Sequence, residues 1–417
     1  MKTPVPLVPR RQRPLLAVVG ACLLAALALF LSGCGGGSSD YAGVGSGGSG
    51  IAEGTVSGFG SVIVDGIEYS DTDIDVATRA SLRLGQRVRL VFDANDAAQS
   101  IAVLPQLRGP VNAAPDADGW LQVTGQWVRV VQSAADASRS GVTVLGGYTD
   151  TGAIVAGQDA AAYGSWAFDA SKAAYVLVAT RIERQATAAD PVLTGGVVSA
   201  PLAGIGFHLN APAGTAVVAD GTLNLSAGQV VTVQVARAAL GATPLRALAV
   251  QNSSLGALDL AAYVQVRIGG LASSYDPASR TVTVQGTPVP LAAGLVVDVA
   301  GLASGQFVRL DAGFAGNGLL LVDATAVRPV VAGGGDSGGI NQLKGMLSGV
   351  DWTAPVVSFT LRGVTTVASA AAIDPACAAV SSSTAQYVEV QGAALAPGAA
   401  VVATRVVCST DVPAGSP

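Results

Sequence analysis

The sequence predicts an all-β protein built as a string of about five small β-barrels, and three observations predict it. Helical periodicity is nearly absent, while short apolar alternations bounded by turn residues fill the chain. A frame of apolar-x-apolar-polar-Gly appears at Val62 to Gly66, Leu121 to Gly125, Val282 to Gly286 and Phe359 to Gly363, with a degenerate version at Phe207 to Ala211. A second mark follows each frame: Gly85-Gln86, Gly228-Gln229 and Gly305-Gln306, with weaker counterparts at Gly164 and Gly398. The resulting period of roughly 65 to 90 residues is too long and irregular for a solenoid and suits separate small barrels.

The strongest single element is GTVSGFGSVIVDGIEY, Gly54 to Tyr69. Asp-Gly between two β-branched runs calls for a two-residue turn with positive φ at both positions. That turn sets Val64 opposite Ile67 and Val62 opposite Tyr69 on the core face, with Ile63 and Glu68 on the other face. Gly54, Gly58 and Gly60 upstream predict a strand that bends or bulges, as strands do where a barrel closes. The first and fourth copies space their two glycines equally, from Gly66 to Gly85 and from Gly286 to Gly305, which points to a repeated domain.

Before these units lies a basic start, Lys2, Arg10, Arg11 and Arg13, then an uncharged run from Leu15 to Leu31, then Leu31-Ser32-Gly33-Cys34. This resembles a bacterial lipoprotein signal peptide over residues 1–33, and the resemblance implies cleavage before Cys34 and acylation of that cysteine. An uncleaved membrane anchor is the alternative reading of the same run. Gly35 follows the cysteine where similar inner-membrane lipoproteins carry aspartate, so the resemblance implies lipid anchoring in the outer membrane, facing periplasm or surface. Residues 34–50 then read as a Gly/Ser tether, about 20 to 25 Å in random-coil span.

The units are expected at 51–105, 106–187, 190–255, 260–330 and 341–410, joined by short Gly-rich linkers, the clearest at 331–340. Ser133 to Ser140 is the one stretch that could make a short helix. From Cys34 onward the net charge is −9, with no dense basic patch, which speaks against nucleic acid as a partner.

GTVSGFGSVIVDGIEY, LRLGQRV, RGPV, LQVTGQWVRV and VATRIE together are similar to the proteobacterial lipoprotein family catalogued as domain of unknown function 5666. The resemblance covers the first two units well, the fourth fairly and the third and fifth poorly. It implies exported proteins of tandem small barrels akin to the OB fold, with no established activity and no catalytic residues to carry over.

Candidate chemistry is sparse. His208, the single histidine, falls at an outward position of its ribbon and has no nucleophile motif beside it, so no catalytic unit is marked out and zinc sites rich in histidine are excluded by count. Cys377 and Cys408 read as a disulfide in an exported protein, or else as reactive thiols. Asp71, Asp73 and Asp75 would share one face of a strand and form a weak calcium candidate, although the EF-hand pattern fails at Val76 and Leu82; a solvated acidic strand or loop is the plainer reading. Trp120, Trp127 and Trp166 read either as core fillers or as a weak ligand platform. No cofactor is indicated. The expected function is an outer-membrane-anchored lipoprotein presenting its barrels for binding or structural roles toward an envelope protein or glycan. The alternatives are an envelope polysaccharide hydrolase using two carboxylates and an OB-like nucleic-acid binder.

Overall fold

Each Asp-Gly-type frame forms a tight hairpin because its two turn residues take up positive φ, as at Asp65 (48°) and Gly66 (81°). The register is the one the alternation dictates: Val62 faces Tyr69, Ile63 faces Glu68 and Val64 faces Ile67. Thr124-Gly125, Gln285-Gly286 and Arg362-Gly363 repeat the turn with positive φ at both residues. In the third unit Ala211 replaces the glycine, and the turn widens so that Leu209 pairs with Thr215 instead. Val62, Val64 and Tyr69 are buried as expected; on the opposite face Ile63 is buried too, while Glu68 remains exposed.

The computed structural model describes residues 49–133, 141–186, 191–202, 206–221, 223–295, 302, 305–314, 320–329, 341–379 and 384–409. The leader at 1–33, Cys34, almost all of the tether, the linker at 331–340 and all but the first residue of the expected helix at Ser133 to Ser140 lie outside them. Among the described residues the protein is all-β: strands dominate, and the two α-helices, Val76–Ser81 and Pro375–Ala378, are short.

The first four successive groups of strands share one pairing scheme, and the fifth departs from it in that Asn341–Leu347 pairs with Gln386–Ala394 but, among the described residues, not with Val356–Leu361. In the second group, Leu107–Ala113 pairs with Trp120–Val123 and with Asp159–Asp169, Trp120–Val123 pairs with Gln126–Val130, and Asp159–Asp169 pairs with Ala174–Gln185. A parallel pairing of Gln126–Val130 with Ala174–Gln185 closes the circuit. In the first group that closing contact shrinks to one parallel bridge, Ser70 to Ala97. The third group closes through Thr215–Val218 and Leu245–Arg246, and the fifth through Val364–Ser369 and Val401–Ser409.

Two details differ from the sequence reading. The second mark of group two is Gly157-Gln158, not Gly164: Val111 N–H donates to Gln158 O as Val56 N–H does to Gln86 O and Val198 N–H to Gln229 O. Gly164 instead sits at a register shift in the Asp159–Asp169 strand. In the fifth group Gln386 stands opposite Leu347 at the place Gln86 holds in the first, while Gly398 lies in the later turn before Val401–Ser409. The mark itself is a turn closed twice. Gln86 N–H donates to Arg83 O, and the Gln86 side-chain oxygen accepts from Arg83 N–H; Gln229 and Ser226 repeat the arrangement.

The groups are not beads on a string. Gly50–Phe59 runs parallel to Gln265–Asp276 of the fourth group through Gly50 to Glu53 and parallel to Asn341–Leu347 of the fifth through Gly58 and Phe59. Groups one, four and five thereby share a 15-stranded sheet, and groups two and three a 12-stranded one. The cores merge as well: Val62, Tyr69 and Phe92 belong to the same apolar cluster as Leu343, Trp352 and Val388. The Gly-rich separations visible in sequence therefore do not isolate the units, because their outer faces are apolar enough to be buried against each other.

Candidate functional site

The residues that could do chemistry converge where the first four groups meet. Arg87 and Arg89 alternate with Val88 on the Arg87–Phe92 strand, so both project to the side away from their own core. There they grip one carboxylate. Glu53 Oε1 accepts from Arg87 Nε (3.1 Å) and Nη2 (2.8 Å), and Oε2 accepts from Arg89 Nε (2.9 Å) and Nη2 (2.6 Å). Arg87 Nη1 also donates to Gly269 O of the fourth group, and Arg89 Nη2 to Ser253 O of the third. All three side chains are buried. Burial alone would raise the Glu53 pKa, but the guanidiniums of Arg89 and Arg87 outweigh it and hold the carboxyl below its ordinary value.

Asp65, first residue of the opening hairpin turn, is another buried acid close to this cluster, its carboxyl attracted by the Arg87 charge. Its Oδ1 accepts from Thr55 N–H at 3.0 Å, and its carbonyl accepts from Arg309 Nη1 at 2.7 Å. Burial pushes its pKa up to about 6, against the opposing pull of the Thr55 N–H and of the Arg87 and Arg309 guanidiniums. A Cβ on either Gly54 or Gly269 would collide with its carboxylate. The same device recurs in group three, where Asn210 Oδ1 accepts from Val197 N–H at 2.8 Å over Gly196. In group two the matching strand residue is Pro110, which has no N–H to satisfy, and the turn carries Thr124 over Gly109.

Beside the Glu53 cluster lies a cavity of about 270 Å³ whose lining includes Glu53, Arg87, Arg89, Gln106, Trp166 and Gln285. Its deep wall is buried; the exposed Gln234, Ala249 and Gln251 form the mouth. Gln106 Oε1 accepts from Gly164 N–H and Gln285 Nε2 donates to Gly164 O, so the irregular point of the Asp159–Asp169 strand is clamped from two other segments. Glu53 is the sole acidic side chain among the described residues lining the cavity. A pair of carboxylates arranged for glycoside hydrolysis is therefore not found there.

The residues singled out from sequence lie elsewhere, apart from Trp166. Trp120 and Trp127 meet edge to face at 6.4 Å; Lys172 lies over both rings and Arg129 over Trp120. Trp120 packs with Leu271 and Phe307 of the fourth group. The three tryptophans do not form one platform, since Trp166 is buried in a different cluster. The strand expected to align Asp71, Asp73 and Asp75 is not formed: Asp75 caps the helix Val76–Ser81 by accepting from Thr78 N–H, which turns the chain away after the buried Asp71. Among the described residues no group of three or more His, Cys, Asp or Glu could hold a metal ion. His208 is half-buried, with Nδ1 3.1 Å from Gly214 O. Cys377 and Cys408 are bonded to each other with Cα atoms 5.0 Å apart, tying the helix Pro375–Ala378 to the last strand.

Sequence reasoning passed over Glu53, Arg87 and Arg89, although one signal existed: two arginines within a strand of otherwise apolar residues, in a chain with only 12% charged residues. A scan against protein-family models finds no match to this chain, and a search of curated proteins finds none.

Proposed function

We propose that the protein is an outer-membrane-anchored lipoprotein whose fused barrels act as a rigid binding or structural module of the cell envelope. The observation that carries the reading is Leu31-Ser32-Gly33-Cys34 at the end of an uncharged run that follows four basic residues. Acylation of Cys34 would attach the chain firmly, at about 0.8 kcal/mol per buried methylene, and the Gly/Ser stretch behind it would hold the folded part clear of the bilayer. In this reading each strand group is an OB-like barrel: in the first four the first strand pairs with both the second and the fourth, and in the second and fifth the third lies parallel to the fifth. The cross-unit pairings favour a stiff body over a flexible chain of modules.

The test is metabolic labelling with a fatty acid in a Gram-negative host, followed by membrane fractionation. The wild-type chain is expected to carry label and to sediment with outer membranes, and the Cys34→Ala variant to lose both. Label persisting in Cys34→Ala, or a wild-type protein recovered free of acyl chains, would overturn the reading.

A further inference from the structure

We infer that the cavity where the first four strand groups meet is a binding site for a small hydroxylated monocarboxylate, of which a sugar acid is the type. The inference rests on the cavity and not on the lipid anchor.

Charge decides the sign of the ligand. Two guanidiniums share one carboxylate at the wall, so the lining itself carries one more cationic than anionic side chain. Arg89 is 8% exposed; its Nε and Nη2 are spent on Glu53 and Ser253, and Nη1 bonds to no described residue. A guanidinium in a cavity wall with an N–H edge bonded to no described residue is a donor waiting for an anionic oxygen. Glu53 in the same wall works against a second negative charge, so a monoanion fits where a phosphate dianion does not.

The remaining lining decides the rest of the ligand. Gln285 uses its Nε2 on Gly164 and Gln106 its Oε1, which leaves one acceptor and one donor of opposite kind bonded to no described residue. Gln234 and Gln251 add exposed amides at the mouth. Amides of both polarities pair with hydroxyls, which both donate and accept. Trp166 and Val231 supply apolar wall for a ring face. The cavity volume of about 270 Å³ lies just below the range of drug-sized pockets and holds a single sugar ring. Its mouth leaves room for the same sugar acid either free or at the end of a longer glycan.

The experiment is isothermal titration of the full mature protein with glucuronate, a glucuronate-terminated oligosaccharide, glucose and inorganic phosphate. Two variants accompany it: Arg89→Lys, which keeps the charge but loses the planar edge, and Gln251→Trp, which fills the exposed mouth without touching the buried cluster. Saturable glucuronate binding is expected, at least tenfold tighter than glucose or phosphate, and at least tenfold weaker in each variant. Binding of the oligosaccharide as well assigns the site to a glycan end; its failure with glucuronate retained assigns it to the free acid. If circular dichroism shows Arg89→Lys misfolded, Gln251→Trp decides alone. No glucuronate heat at millimolar concentration, equal affinity for glucose or phosphate, or affinity unchanged by Gln251→Trp would overturn the inference.

Discussion

The carboxylate of Asp65 occupies the space that a side chain on Gly269 would need: a Cβ there would run into Asp65 Oδ2. One residue sets a hairpin turn in the first strand group and the other belongs to the Gln265–Asp276 strand of the fourth, so this contact is where a local turn becomes a joint between units.

Gly269→Ala is therefore expected to destabilise the protein by about 1–3 kcal/mol, as overpacking at a tight contact does. Urea unfolding would measure it. In an Asp65→Gly background, where the obstructing carboxylate is gone and the turn retains its positive φ, the same substitution should cost markedly less.

Asp65 also makes stability depend on pH. Its pKa in the folded protein is raised to about 6 from an ordinary 3.8, so its contribution is fully present below about 3.8 and is lost as pH rises through about 6. Asp65→Asn keeps an oxygen for Thr55 N–H, as Asn210 does for Val197 N–H, and removes the buried charge. At pH 7 it is expected to stabilise by on the order of 2–3 kcal/mol, with the gain vanishing toward pH 4. Thermal melts of both proteins across that interval would check it.

Glu53 has the opposite sign. Its pKa is lowered from an ordinary 4.5, so its contribution is present above that value and is lost as pH falls through the lower folded value. Glu53→Ala would leave Arg87 and Arg89 buried without a counter-charge, and a loss of roughly 3–5 kcal/mol is expected in chemical denaturation at neutral pH. Replacing Glu53, Arg87 and Arg89 together with apolar residues of similar volume should recover most of it.

Reduction of Cys377–Cys408, which are separated by 31 residues, is expected to cost roughly 3–4 kcal/mol on the chain-entropy model. Melting with and without reductant would show it, and a Cys377→Ala/Cys408→Ala variant should become insensitive to reductant.

Much of the local structure was legible in sequence because hairpin register is a local property. The Asp-Gly turn and the alternation of Val62, Val64, Ile67 and Tyr69 are enough to fix which residues face one another. The marks in groups two and five were misplaced because both depend on pairing with a distant strand. Gly157-Gln158 follows a longer excursion than Gly85-Gln86, and Gln386 has Ala385 before it in place of glycine. The candidate site was illegible for a deeper reason. In Arg87-Val88-Arg89 the alternation reads as polar side outward, and outward from one barrel it is; no local rule tells that another unit covers that side. Pro110 shows the same limit. Its missing N–H explains why Thr124 stands where Asp65 and Asn210 stand, but only once the strand and the turn are seen in contact.

The parallel pairing of Gly50 to Glu53 with Gln265 to Ile268 also orders events in time. A ribosome delivers the opening strand first, yet one of its neighbours emerges only after more than half the chain has been made. Contacts so far apart in sequence form slowly, so the first of the described strands to be made is among the last to find its full set of partners. Until then its unsatisfied edge needs shielding from other chains.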